Sequence, residues 1–190
     1  MPTGLRNYGG IVMKKIFHTC NAIGRQFTRE EWFDYSDKHT DLYEPVMQSG
    51  PYKWNICDVC LNPDIALDIS VTKNAGLSVS VAQLPNGRWE YGYDITLHNE
   101  GACHGVIFSK DDNAGFPTKE ECIFHCIEKA EERTLRKIQE LKKRGDTNLD
   151  WDEEGAKEPK ASALVSCIKA FLEVLREKKE YYDPRQLRLF

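Results

Sequence analysis

Cysteine and histidine side chains give this sequence its clearest potential for chemistry. Cys57 and Cys60 form a C-x-x-C pair, a spacing at which two thiolates can bind zinc, but a structural zinc site requires four ligands. Cys103 and His104, which are adjacent in the chain, are candidates for the other two ligands. The sequence therefore allows either a zinc site at these four residues or a chain without a cofactor, in which the cysteines are small apolar packing residues.

Three further residues are alternative ligands for the same metal: His98, His125 and Cys126. Cys122 and Cys126 are four residues apart, so on a helix they share a face, which suits either two metal ligands or the border of an apolar core. We favour core packing for both. A redox role for the C-x-x-C pair is disfavoured, because a strand rather than a helix is predicted to follow it.

Catalysis through Cys103 is disfavoured as well. Neighbouring residues on a strand point to opposite faces, so Cys103 and His104 are poorly placed for proton transfer. A nuclease site would need an acidic-x-Lys motif on a strand, whereas those at Glu140 and Glu177 lie on predicted helices. Motifs of phosphate-binding loops, dinucleotide-binding folds and serine hydrolases do not occur in the sequence, and we expect no catalysis.

Basic residues cluster in the segment 133–144, where Glu140 is the only acidic residue. Such a cluster can bind nucleic-acid phosphates. It can also complement the dipole at the C-terminal end of a helix, which is the interpretation we favour. The candidate phosphate-binding residues are Arg133, Arg136, Lys137, Lys142, Lys143 and Arg144.

An aromatic strand is a second candidate for nucleic-acid binding. Trp89, Tyr91 and Tyr93 occupy alternate positions and therefore share one face of a strand. An exposed face of this kind is a stacking platform for single-stranded nucleic acid. We favour the alternative, in which this face packs against a long helix.

An α+β fold is predicted to position these residues. Capping boxes begin two helices, because a Glu follows Thr28 and Thr118 at the third position in each case. A third helix follows from the helical spacing of its large apolar residues. The predicted helices span residues 28–38, 119–144 and 161–182, and the predicted strands span residues 65–71, 77–84, 89–97 and 106–109.

Asn86-Gly87 is a strong hairpin signal between the second and third strands. The links between strands are too short for crossover helices, so we predict a three- to four-stranded antiparallel sheet packed by the long helix, with a further C-terminal helix. The segments are a leader and first segment (1–27), an α+β core domain (28–145), an acidic linker (146–160), a helix (161–182) and a tail (183–190).

Overall charge and hydropathy narrow the class of protein. The net charge of −4 argues against a nucleic-acid-binding surface that is basic throughout. No apolar run approaches the roughly 20 residues of a membrane span, and the N-terminal residues lack a signal-peptide pattern. Because the seven cysteines are an odd number and no secretion signal is visible, we expect reduced thiols and a cytoplasmic location. The lack of a long apolar run predicts no membrane partner.

The tail combines a helix-stopping proline with large apolar residues. Pro184 disfavours helical geometry at Asp183, so the last helix is expected to end there. Beyond it, Leu187, Leu189 and Phe190 are too few to form a core of their own. They are expected either to fold back on their own domain as a plug or to bind a pocket on a partner.

The pentapeptide Gln-Leu-Arg-Leu-Phe at 186–190 resembles the motif by which bacterial polymerases, repair factors and plasmid or phage proteins bind the bacterial DNA sliding clamp. The resemblance implies that Gln186 enters a small polar subsite and that Leu189 and Phe190 fill a hydrophobic cleft, with Leu187 as a supporting contact. Arg188 departs from the small or acidic residue usual at a position that largely faces solvent. The resemblance covers these five residues and implies nothing about the folded part.

We therefore expect a non-catalytic accessory protein of bacterial, phage or mobile-element DNA metabolism whose partner is the sliding clamp. One alternative is a zinc-binding or nucleic-acid-binding factor. Another is a small inhibitor or antitoxin-like protein that uses the tail as an intramolecular plug. A hairpin followed by a long helix loosely resembles double-stranded-RNA-binding and HicB-type antitoxin domains, but the motif residues of neither family occur here.

Overall fold

The computed structural model of the chain describes residues 15–38, 44–146 and 159–187. Within these ranges the chain forms an α+β fold, as predicted. In chain order the elements are β1 (His18–Cys20), β2 (Arg25–Phe27), α1 (Arg29–Lys38), β3 (Met47–Ser49), β4 (Tyr52–Trp54), β5 (Asp64–Thr72), β6 (Ala75–Gln83), β7 (Trp89–Leu97), β8 (Glu100–His104), α2 (Lys119–Arg144), α3 (Ala161–Tyr181) and α4 (Pro184–Leu187).

The largest sheet is antiparallel, in the order β5-β6-β7-β8. β6 and β7 pair along their whole length without a register shift. The turn between them contains Gly87 at a φ of 81°, which glycine adopts without a steric penalty, so the predicted hairpin is confirmed. β5, at one edge, has register shifts against β6 between Ile65 and Leu67 and between Ser70 and Thr72.

Helices α2 and α3 cover one face of this sheet. α2 lies over β6 and β7, and α3 lies over β5 and β6. The main core between the sheet and the two helices contains Leu77, Val79, Val81, Ile95, Leu97, Ile127, Leu164, Ile168, Phe171 and Leu175, all almost completely buried. Because four of these side chains come from α3, this helix is part of the main core.

Capping side chains fix the starts of α1 and α2 where the sequence predicts them. The backbone N–H of Glu31 donates to Thr28 Oγ1 (3.3 Å), and the backbone N–H of Thr28 donates to a carboxylate oxygen of Glu31 (2.9 Å). At α2, Thr118 Oγ1 accepts from the backbone N–H of Glu121 (3.1 Å). The long helix ends at Gly145, which has a φ of 68°.

A second, smaller core is built from the hairpins β1-β2 and β3-β4 and from residues 106–108. Phe27 and Trp54 are completely buried in it, and the Trp54 ring lies 5.2 Å from that of Phe108 between centroids. Ala82 of β6 belongs to this core, whereas its neighbour Val81 belongs to the main core. Since neighbouring strand residues face opposite ways, the two cores lie on opposite faces of β6 at this point.

One predicted strand is wrong. The fourth strand of the sheet lies at Glu100–His104, not at residues 106–109. Val106 and Phe108 are instead buried in the second core, where the backbone N–H of Cys60 donates to the carbonyl of Val106 (2.9 Å). The β1-β2 hairpin falls in the segment 1–27, and residues 147–158 of the acidic linker lie outside the described residues.

Candidate functional site

A row of aromatic side chains lines the part of the sheet beside α2. The rings of Tyr91 and Tyr93, both on β7, lie 6.4 Å apart between centroids. His104 of β8 stacks on Tyr93 at 6.1 Å, with 17° between the ring planes, and His125 of α2 lies 6.0 Å from Tyr91. The predicted packing of this strand face against the long helix is confirmed, and both tyrosines remain partly exposed.

These tyrosines form one side of a cleft of about 260 Å³, here named the α2–β7 cleft. Its sheet side includes Tyr91, Tyr93 and Ile95. Its helix side includes Arg133 and Arg136. The sheet side is thus aromatic and apolar, and the helix side is charged.

The charges of the cleft do not cancel locally. Lys129 Nζ lies 3.6 Å from a carboxylate oxygen of Glu132, and both residues line the cleft. Among the described residues, no carboxylate forms an ion pair with Arg133 or Arg136, which leaves two guanidinium charges uncompensated. Burial, followed by nearby thiol and carboxyl groups, raises the pKa of Tyr91 to about 12, so its hydroxyl is neutral at physiological pH.

The other four predicted phosphate-binding residues lie outside the cleft. Lys137 is 8% exposed and forms an ion pair with Glu100 of β8, so it is not available to a phosphate. Lys137 lies three residues from Thr134, which is also buried, and residues three apart share a helix face. Lys142 and Lys143 are exposed at the end of α2. Arg144 donates to the carbonyl oxygen of Pro159 (3.3 Å).

The loop that carries the C-x-x-C pair is organised by the residue inside it, Asp58. Its φ is 63° and it is 4% exposed. One carboxylate oxygen accepts from the backbone N–H of Asn21 and the other from that of Ala22, both at 2.7 Å. Its carbonyl accepts from the backbone N–H of Phe108 (2.7 Å). Sequence reasoning missed this role, because the partners of Asp58 are far away in the chain.

The predicted zinc ligands are not assembled. Within residues 15–38, 44–146 and 159–187, no group of three or more His, Cys, Asp or Glu side chains is placed to hold a metal ion. Cys57 and Cys60 lie in the Asp58 loop, whereas Cys103 and His104 lie on β8. Of the alternative ligands, His98 lies in the turn between β7 and β8, His125 lies beside Tyr91, and Cys126 is buried in the main core.

The favoured interpretation of Cys122 and Cys126 as core residues is confirmed. Cys122 is 0% exposed and Cys126 is 2% exposed. Burial is the largest cause of the raised pKa of both thiols, to about 12 for Cys126. Burial also raises the pKa values of Cys20, Cys57 and Cys60. A raised pKa keeps a thiol protonated and therefore poorly nucleophilic.

Thiol labelling should distinguish Cys103 from the other cysteines. We expect Ellman's reagent at pH 8 to modify one thiol per chain rapidly, because Cys103 is the exposed cysteine among the seven. For Cys126, a pKa of about 12 leaves only about one thiolate in a thousand even at pH 9. Cys103→Ser should remove the rapid phase, and denaturant should expose every remaining thiol. A rapid phase that persists in Cys103→Ser would contradict this assignment.

The segment after α3 is anchored by a local ion pair. α3 ends at Tyr181, close to the predicted boundary, and Arg185 Nη2 lies 2.7 Å from a carboxylate oxygen of Asp183. Hydrogen bonding to Arg185 lowers the pKa of Asp183 to about 2, so this contribution to stability is present above about pH 4 and is lost as the pH falls through about 2. Gln186 is exposed, and Leu187 is the last residue of α4. Residues 188–190, which include Leu189 and Phe190, lie outside the described residues.

No protein-family model, curated protein or solved structure matches this chain. In the described parts of the chain, no helix combines the length and the apolar character needed to cross a membrane. The features of the molecule that indicate a function are therefore the α2–β7 cleft and the segment that follows α3.

Proposed function

We propose that this chain is an accessory protein of bacterial, phage or mobile-element DNA metabolism that binds the DNA sliding clamp through residues 186–190. The observation that carries the proposal is the Gln-Leu-Arg-Leu-Phe sequence of these residues, which resembles clamp-binding peptides. It begins two residues after Pro184, in the single turn of α4 that follows the end of α3. Such a position suits a short peptide that reaches away from its own domain into a partner.

The local structure at the start of the pentapeptide is compatible with docking. Gln186, assigned to the polar subsite, is exposed, and its backbone N–H donates to the carbonyl oxygen of Asp183 (3.0 Å), a bond that must break if the residue extends into a groove. Gln186 and Leu187 are the last residues of α4, which is a single turn. Helices this short have little stability of their own, so extending these residues into a groove costs little. The pair of Asp183 and Arg185 lies before them and does not have to break.

The apolar residues are expected to supply most of the affinity. Burying a Leu or Phe side chain is worth about 1.5–3 kcal/mol each. Ordering a free peptide and losing its translational freedom offset much of this gain. A dissociation constant in the micromolar range, equivalent to about −8 kcal/mol, is therefore expected for the complex.

The proposal predicts that Leu189→Ala/Phe190→Ala weakens binding to a purified bacterial sliding clamp at least about 100-fold, because two apolar anchors are lost. Isothermal titration calorimetry with the full chain measures this directly. Arg188→Ala is the matched control, since the corresponding position of clamp-binding peptides largely faces solvent. We expect its affinity to stay within about threefold of the wild type.

Two results would reject clamp docking: no heat of binding at about 100 µM clamp, or equal affinity of the double variant and the wild type. Limited proteolysis separates this proposal from the alternative of an intramolecular plug. A docking peptide is cleaved readily in the free protein and is protected when the clamp is added. A plug resists cleavage without the clamp.

A further inference from the structure

The α2–β7 cleft has two features that clamp docking does not use. One is the aromatic surface of its sheet side, and the other is the pair of guanidinium groups on its helix side that have no ion-pair partner in the part of the chain that the structure describes. On α3, by contrast, Arg176 is neutralised, since it lies 3.1 Å from carboxylate oxygens of both Glu131 and Glu173. Arg133 and Arg136 instead line the cleft without an ion-pair partner among the described residues. Their positive charge is therefore available to a ligand.

The spacing of the two arginines directs both guanidinium groups to one side of the cleft. Arg133 and Arg136 are three residues apart on α2, so they share a helix face. A guanidinium group presents parallel N–H donors that match two oxygens of a phosphate. A phosphate at the helix side of the cleft would accept hydrogen bonds from both guanidinium groups.

The sheet side of the cleft offers aromatic stacking instead of charge. Tyr91 and Tyr93 are partly exposed, and the His104 ring extends the aromatic surface by stacking on Tyr93. Aromatic side chains bind unpaired bases by stacking, largely independently of base identity. A ligand that combines a flat ring with a phosphate would therefore contact both sides of the cleft.

The size of the cleft limits the ligand. Its volume of about 260 Å³ lies just below the roughly 300–1,000 Å³ of pockets that enclose drug-sized molecules. The exposed side chains of Lys129 and Arg136 mark its open side. The cleft thus suits one base and its phosphate, with an outlet for neighbouring parts of a longer chain.

We propose that the α2–β7 cleft binds one nucleotide of a single-stranded nucleic acid. The base stacks on Tyr91 and Tyr93, and the phosphate contacts Arg133 and Arg136. A nucleic-acid strand fits the cleft better than a free nucleotide does. The reason is that exposed Lys143 lies two helical turns beyond Arg136, about 10 Å along the axis of α2. A strand that leaves the cleft along α2 meets this second positive charge, which a single nucleotide does not reach.

This inference is independent of clamp docking, since it involves no residue after α3. A duplex is a poorer ligand, because its bases are paired and stacked and leave no free face for the tyrosines. The net charge of −4 does not oppose such binding, because only a local pair of arginines is required.

The test is a titration of a fluorescently labelled, single-stranded oligo(dT) of about 15 nucleotides with the full chain. Fluorescence anisotropy is measured at about 50 mM salt. For a single strand, the logarithm of the association constant falls with the logarithm of the salt concentration, with a slope of about −0.7 per phosphate contact. Because both arginines contact one phosphate, Arg133→Ala/Arg136→Ala should weaken binding about 8-fold at this salt concentration and reduce the salt slope by about 0.7. Lys110→Ala/Lys169→Ala is the matched control, because it removes two exposed charges outside the cleft.

A second variant tests stacking. Tyr93→Ala is expected to weaken oligo(dT) binding about 5- to 150-fold, and Tyr93→Phe, which keeps the ring, should recover most of that loss. Thermal unfolding of each variant shows whether the fold is retained. Absence of oligo(dT) binding by the wild type, or an equal loss in the control pair and the arginine pair, would overturn the proposal. Competition by free dTMP at the concentration effective for oligo(dT) would overturn the assignment of a strand.

Discussion

Asp58→Ala is expected to destabilise the folded chain by about 3–6 kcal/mol. The substitution leaves the buried backbone N–H of Ala22 and the partly buried backbone N–H of Asn21 without their carboxylate acceptor, at up to about 1–3 kcal/mol each. Alanine is also disfavoured at the φ of 63° found at this position, whereas aspartate tolerates it. Guanidinium unfolding followed by tryptophan fluorescence measures the loss, because Trp54 lies in the same core.

The two causes can be separated with a second variant. Asp58→Gly removes the same carboxylate but accepts positive φ, so it should be about 1 kcal/mol more stable than Asp58→Ala. Asp112→Ala, at an exposed turn, is the matched control and should change stability by no more than about 0.5 kcal/mol. If Asp58→Ala unfolded at the same denaturant concentration as the control, the carboxylate would have no structural role.

Phe171→Ala should cost about 3–5 kcal/mol of stability. Phe171 lies on α3, is completely buried and belongs to the main core, so truncation removes buried apolar surface and leaves a cavity. Lys169→Ala, two residues earlier and exposed, is the matched control, with an expected change of no more than about 0.5 kcal/mol. A loss of about 4 kcal/mol is a large part of the 5–15 kcal/mol that stabilises a typical domain.

The same variant tests whether α3 is integral to the core domain or only attached to it. If it is integral, Phe171→Ala lowers the unfolding midpoint of the whole domain, and circular dichroism and tryptophan fluorescence change together. Amide protons of β6, which α3 covers, should also exchange faster. Loss of helical signal alone, with an unchanged fluorescence midpoint, would show that α3 unfolds independently.

The elements predictable from sequence are those whose signals are local. Thr118 and Gly145 mark the ends of α2 because capping depends on residues within one helical turn. Asn86-Gly87 marks the β6-β7 turn for a similar reason. The strands β1 to β4 have three residues each, which is too short for an alternating pattern to be recognised.

Other features depend on contacts between distant parts of the chain. The β8 sequence Glu-Gly-Ala-Cys-His has low strand propensity, and it forms a strand by pairing with β7. Residues 106–109 have high strand propensity, yet Val106 and Phe108 are buried in the second core. The sequence pattern predicts the two sides of the α2–β7 cleft separately, as an aromatic strand and a basic helix end. Their meeting depends on where α2 crosses the sheet, which no local pattern encodes.

The register shifts of β5 have a consequence for how copies of this chain meet in solution. An edge strand that is long and straight can recruit another polypeptide through its unpaired backbone groups. Irregular pairing at two points disturbs that template on β5, and the opposite edge, β8, is only five residues long. Neither flank of the sheet therefore offers a continuous ladder to an incoming strand, which protects the folded protein from edge-to-edge aggregation.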